Sequence, residues 1–225
     1  MITSRDRADA FDKAYAIMNY DLAIKYQEYV RKKWRLCHFG AKSILRDSDR
    51  SKTYKAENVA LEMLSMKIAN ESFLNDEKST QKFFKKVIKS KTYQKLCNDN
   101  IKSDNTAPVC KQPYLVINSR MKRNAGVAKM GMGVIELQPS EFGMTKYVIL
   151  HELAHMCGHS DHDVGFRISV LKLVSRFMGV DAASNLKYCF KKAKLKMSVP
   201  KTFKTPEQWL ESYQKMAKMR EKAVA

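Results

Sequence analysis

Between Arg5 and Trp34 the apolar residues Phe11, Tyr15, Met18, Leu22 and Tyr26 recur every three to four positions with no Pro or Gly between them. That spacing predicts one long amphipathic helix. Beyond the polar stretch Asp47-Ser48-Asp49-Arg50-Ser51, weaker helical patterns run through Val59 to Ile68 and through Phe83 to Leu96, so the first hundred residues read as mostly helical. Asn98 to Pro113, rich in Asn, Asp and Ser and holding two prolines, reads as a loop or linker. Behind it the period changes. Tyr114 to Ile117 and Val134 to Leu137 are short β-rich runs, separated by the turn-prone Arg123-Asn124-Ala125-Gly126 and by Gly131 and Gly133. A helix is then expected from Thr145 to Cys157, stopped by Gly158, and a second from Asp163 to Met178, stopped by Gly179. A third, capped by Asp181, should reach Met197 before Val199-Pro200 breaks the chain. Thr205-Pro206-Glu207-Gln208 is a capping-box start for a last helix through Trp209, Tyr213 and Met216. The pattern divides the chain into a helical N-terminal region (1–105), an α+β core with a small, mainly antiparallel sheet (106–197), and a basic helical C-terminal extension (198–225).

Composition narrows the class. The chain has 225 residues, 44% hydrophobic and 29% charged, with only 8 Gly and 5 Pro, which is the make-up of a folded protein rather than a linker or a disordered tail. Its net charge of +19 favours encounters with polyanions, so nucleic acid is a candidate partner through the basic surface. From Ala183 onward eleven Lys or Arg stand against three Glu. Tyr188 and Phe190 alternate there with lysines, as in nucleic-acid grooves, although a solvated amphipathic helix accounts for the pattern equally well. The five cysteines form no C-x-x-C pair, which argues against a disulfide framework or a cysteine zinc site and for a reducing, cytoplasmic setting. The charged N-terminus has no apolar leader core, and no window holds the roughly 18 uninterrupted apolar residues that cross a bilayer, so no membrane partner is expected.

Chemistry concentrates in one place. Four of the five histidines fall in the twelve residues His151-Glu152-Leu153-Ala154-His155-Met156-Cys157-Gly158-His159-Ser160-Asp161-His162. Helical residues four apart share a face, so His151 and His155 can present two imidazoles to one ion with Glu152 beside them, the H-E-x-x-H arrangement of zinc hydrolases. A third protein ligand would leave one open position on a tetrahedral ion, which lowers the pKa of water to about 7, and Glu152 would be the general base. His159, Asp161, His162 and Asp163 are all near enough to be that third ligand. His162 is favoured because His159 follows the stop glycine at once and would need a very tight reversal. Asp161 and Asp163 could instead orient an imidazole by accepting its other N–H. Cys157 reads as a small buried thiol rather than a nucleophile.

The run His151-Glu152-Leu153-Ala154-His155, followed by His162-Asp163-Val164-Gly165-Phe166, resembles the SprT-like and Wss1-like zinc metallopeptidases, where a third histidine stands four residues before a phenylalanine. More closely, the chain resembles a family of proposed metallohydrolases of actinobacteria and their phages. That likeness lies in Arg5-Asp6 before a helix with Ala14-Tyr15, the strand Val134 to Leu137, Val148-Ile149-Leu150 ahead of the motif, and Gly179-Val180-Asp181-Ala182-Ala183 with Phe190 beyond. It covers residues 5 to 197 thinly and 134 to 197 well. The resemblance implies a compact zincin-like (mini-zincin) core with Zn2+ on His151, His155 and His162 and Glu152 as base, but it supplies no substrate. The reading taken from the site is a peptidase with a protein or peptide substrate, and the SprT-like likeness points to basic helices that deliver it to nucleoprotein. It further implies that an edge strand ahead of the motif helix pairs with extended substrate, and Gly133 to Leu137 is placed for that role. The chain departs from its relatives in the short join between His155 and His162 and in Asp-Val-Gly after His162, where relatives often have Gly-Pro-Glu. Two rivals stand beside the peptidase: a nucleic-acid-binding protein with a structural zinc, and a zinc hydrolase of non-peptide amides or esters.

Overall fold

The structure, a computed structural model, describes residues 20–38, 47–71, 76–101 and 107–198. Among them the first helix, α1 (Tyr20–His38), covers the second half of the long helix predicted from Arg5. The expected C-terminal helix from Thr205, and with it the basic extension, lies outside the described residues.

Two of the predicted helical stretches each contain a break. Val59 to Ile68 is shared between α2 (Arg50–Leu61) and α3 (Leu64–Glu71), and Phe83 to Leu96 between α4 (Glu77–Ile88) and α5 (Lys91–Ile101). Neither break carries a proline or glycine, so periodicity alone runs straight through it. Local chemistry marks the start after the second break, where the Ser90 hydroxyl accepts from the Tyr93 N–H at 3.2 Å at the head of α5; α4 itself is capped by Asp76, which accepts from the Ser79 N–H at 2.8 Å.

Strands β1 (Tyr114–Ile117), β2 (Gly126–Lys129) and β3 (Val134–Leu137) form one sheet in the order β1-β3-β2. β3 pairs parallel with β1, Tyr114 opposite Val134, and antiparallel with β2, Gly126 opposite Leu137. The sheet is therefore mixed rather than mainly antiparallel. β3, expected at the edge, is central, and all four of its residues are buried. The open edge that faces the motif helix belongs to β2. Glu136, buried in β3, is matched by Lys129 and by the Asn118 amide at 3.0 Å.

Helices α6 (Lys146–Met156), α7 (Val164–Phe177) and α8 (Val180–Lys192) complete the described chain. Every residue of α6 from Tyr147 to Met156 is buried. This is a core helix, packed against β2, β3 and α7, not an amphipathic surface one. α8 packs against α2, α3 and α7, so one apolar core runs from Ala56 to Leu195. α8 stops at Lys192, short of the expected Met197, because Lys194 takes a left-handed φ of 56° and the Leu195 N–H bonds back to the Phe190 carbonyl at 3.0 Å, which buries Leu195. Its N-terminal cap position is Gly179, at φ 105°, with Asp181 inside the first turn. Phe190 is fully buried and serves the core, whereas Tyr188 is exposed.

Candidate metal centre

Thr145 starts α6 by accepting the Val148 N–H at 3.3 Å, and Gly158, at φ 103°, ends it. The chain then folds back through residues 159–163 to α7, whose cap Asp163 accepts the Phe166 N–H at 2.8 Å. This reversal carries His162 onto the face of α6 that presents His151 and His155. The three are buried, and their coordinating nitrogens all lie within 4.8 Å of one another. His151 Nε2 and His162 Nε2 are 3.3 Å apart. Two nitrogens held about 2.05 Å from a tetrahedral zinc stand about 3.3 Å apart, so the spacing of this pair fits such an ion. Phe166 is the floor beneath them, its ring 4.8, 4.5 and 4.7 Å from those of His151, His155 and His162.

The far side of each imidazole is also occupied. His155 Nδ1 donates to the His159 carbonyl at 2.6 Å, and His162 Nδ1 to Asp47 Oδ2 at 2.6 Å. His151 Nδ1 lies 3.3 Å from Glu57 Oε1, an approach without hydrogen-bond alignment. With the Nδ1 protons of His155 and His162 spent in this way, their Nε2 atoms are acceptors facing His151, and a cation is the group that relieves such a convergence of lone pairs. Burial, together with the neighbouring His151 and His162, holds His155 well below the ordinary imidazole range. Burial also lowers His151, but the carboxylates of Glu57 and Glu152 outweigh it and leave its pKa raised.

Glu152 stands beside the three histidines on the same helix. Burial raises its pKa, and His151 and the Ala128 N–H that bonds its carboxylate offset this only in part. β2 comes so close here that a Cβ on Gly126 would sit 2.8 Å from Glu152 Cγ. The histidines and Glu152 open onto a cleft of about 570 Å³, walled by Arg50, Tyr54 and Glu57 of α2 on one side and residues 123–128 on another, with Tyr26 and Phe142 also lining it.

His151, Glu152, His155 and His162 therefore come together as the spacing suggested. His159 and Asp161 do not join the cluster. His159 is buried elsewhere, its Nε2 3.0 Å from the Asn100 amide and 3.0 Å from the Ser169 hydroxyl. The orienting carboxylates considered at Asp161 and Asp163 are supplied instead by Asp47 and Glu57: Asp163 is spent capping α7, while Asp47 and α2 face the rings. Cys157 is a buried thiol 3.7 Å from the Cys97 sulfur.

Sequence reasoning missed four contributors: Asp47, Glu57, Tyr54 and Arg167. Glu57 did leave a signal, an acid in the buried stripe Thr53, Ala56, Glu57, Ala60. Arg167, 1% exposed, binds the His162 carbonyl at 2.6 Å, Asp49 Oδ2 at 2.9 Å and the Lys196 carbonyl at 2.9 and 3.1 Å, so it ties the His162 turn to the start of α2 and to the chain after α8. No family model, no curated protein and no solved structure matches the chain.

Proposed function

We propose that this protein is a zinc-dependent hydrolase, in the first place a metallopeptidase, with zinc held by Nε2 of His151, His155 and His162. The observation that carries the reading is the convergence of three buried imidazoles, backed by Asp47, Glu57 and the His159 carbonyl, beside Glu152 in an open cleft. When bound, zinc supplies Lewis acidity toward water and a substrate carbonyl. The chain's own residues do the rest. Glu152, held by the Ala128 N–H, takes a proton from the attacking water and delivers it to the leaving amine nitrogen. β2 is paired on one side only, so an extended peptide lying along its other edge passes Glu152 and the imidazoles. Buried Phe166, packed against all three rings, keeps water from the back of the site.

A structural zinc in a nucleic-acid-binding protein would call for a fourth protein ligand. Among the described residues no fourth His, Cys, Asp or Glu joins the group, and the cleft reaches solvent beside it. We keep the kinship with SprT-like and Wss1-like metallopeptidases, a zincin-like core and a cytoplasmic setting as parts of the same proposal. Cys97, Cys110, Cys157 and Cys189 are free thiols, and no helix among the described residues is long and apolar enough to cross a membrane.

The test is elemental analysis of the purified chain, together with proteolysis of casein and of DNA-bound protein by wild type and Glu152→Gln. One zinc per chain and cleavage lost in Glu152→Gln are expected. Undiminished cleavage by metal-free protein would refute the proposal.

A further inference from the structure

We infer that Arg50 is a specificity-determining residue that draws a carboxylate on the substrate into the cleft, so that the site takes acidic peptides. This rests on the hydrolase reading and names its substrate class. Arg50 opens α2 on the wall of the cleft, with its guanidinium carbon 5.4 Å from the centre of the Tyr54 ring. That ring in turn lies 4.7 Å from His162 and 5.7 Å from His151. A tyrosine bridge thus fixes the arginine next to the three imidazoles.

A guanidinium carries five N–H donors, more than the ring and hydroxyl of one tyrosine can occupy, so Arg50 beside Tyr54 keeps donors with which to grip a carboxylate in a two-pronged hydrogen bond. Among the described residues Arg50 forms no ion pair with a carboxylate. Of the buried or half-buried acids of the cleft, Asp47 binds His162, Glu152 meets the Ala128 N–H, and Glu57 stands 3.3 Å from His151 Nδ1. A second cation, Arg123, lines the same cleft from the loop before β2, and the remaining walls are largely aromatic or apolar, with Tyr26, Phe142 and Val148 among them. An anionic group flanked by apolar side chains matches such a lining, and the net charge of +19 steers it in.

The carboxylate could come from a Glu or Asp side chain or from the end of a peptide. The experiment separates these by measuring fluorescence anisotropy of labelled heptapeptides on zinc-loaded, full-length Glu152→Gln protein. The peptides form a set in which one residue is Glu or Gln and the C-terminus is free acid or amide. At least one charged peptide is expected to bind about tenfold tighter than its uncharged twin, since a hydrogen bond to a charged group is worth about that much. A gain confined to Glu assigns the carboxylate to a side chain, and one confined to the free acid assigns it to the chain end. R50M should bring the ratio to within about twofold, and R50E should reverse it, so that the uncharged twin binds tighter than the charged one. Equal affinity for charged and uncharged twins, absence of binding by all of them, or a ratio unchanged in both Arg50 variants overturns the inference. Cleavage of both twins at equal rates by the unsubstituted chain would overturn it too while leaving the hydrolase reading intact.

Discussion

Gly126→Ala is the sharpest perturbation of the proposed base that leaves every ionisable group in place. The added methyl would stand 2.8 Å from Glu152 Cγ, 2.9 Å from Glu152 Oε1 and 2.9 Å from Val148 Cγ1. Non-bonded heavy atoms prefer separations of about 3.5–4.0 Å, so relief requires a movement on the order of 1 Å. Either the Glu152 carboxylate retreats or β2, paired on one side only, lifts off α6. Overpacking of this kind costs about 1–3 kcal/mol, a fall of several degrees in Tm for a chain of this size. A catalytic group misplaced by about 1 Å loses on the order of 10²-fold in turnover. The three imidazoles are not touched, so zinc stoichiometry should stay at the wild-type value. The assay sets peptide turnover, zinc content and thermal melting of Gly126→Ala beside those of Gly126→Ala/Val148→Ala. The second substitution removes the Val148 clash alone, so it should recover part of the Tm and little of the turnover. A Gly126→Ala protein that melts like wild type and turns over within about threefold of it would refute the claim that β2 holds Glu152 in place.

Further outcomes follow from the same geometry. Asp47→Asn and Glu57→Ala, each removing the carboxylate behind one imidazole, should weaken zinc binding about 10- to 100-fold in chelator competition while the far-ultraviolet circular dichroism is unchanged. Arg167→Met leaves the carbonyls of His162 and Lys196 without their donor and unpairs the partly exposed Asp49, and should cost about 2–3 kcal/mol in urea unfolding. Arg167→Lys should recover only part of this, because one ammonium cannot span the three partners. Burial pushes the Cys110 thiol up from 9.0 to about 11, so between those values the unfolded chain releases the proton and the folded chain keeps it. Stability contributed by that thiol is therefore complete below pH 9 and is lost as pH rises toward 11, by up to about 1.4 kcal/mol per pH unit, and Cys110→Ala should flatten the loss in denaturant titrations.

How much of this was legible without coordinates depends on how local the interaction is. His151, Glu152 and His155 lie within five residues on one helix, and the 3.6-residue period alone puts them together. Gly158 and Asp163 mark the turn that returns His162, since backbone sign and side-chain capping are properties of single residues. The starts and stops of α6 and α7 were readable for the same reason. The breaks at Glu62-Met63 and Lys89-Ser90 were not, because neither carries a proline or glycine to interrupt the helical period.

The partners of the imidazoles belong to another kind of information. Asp47 is 115 residues from His162, and Glu57 is 94 residues from His151; nothing in a helical period relates positions so far apart. The choice between those acids and the nearby Asp161 and Asp163 was made by packing, when α2 was laid against α8 and across the open end of the histidine cluster. Strand order was decided in the same way. A four-residue apolar run such as Val134 to Leu137 suits a central or an edge position equally, and only the pairing of β1 on one side and β2 on the other settles which it takes. By itself the sequence determined the motif helix, its stop and the charge of the surface, all set by neighbours in the chain. The tertiary structure alone decided which carboxylates back the histidines, which strand borders the cleft and where Arg50 stands, because those contacts exist only after distant segments share one core.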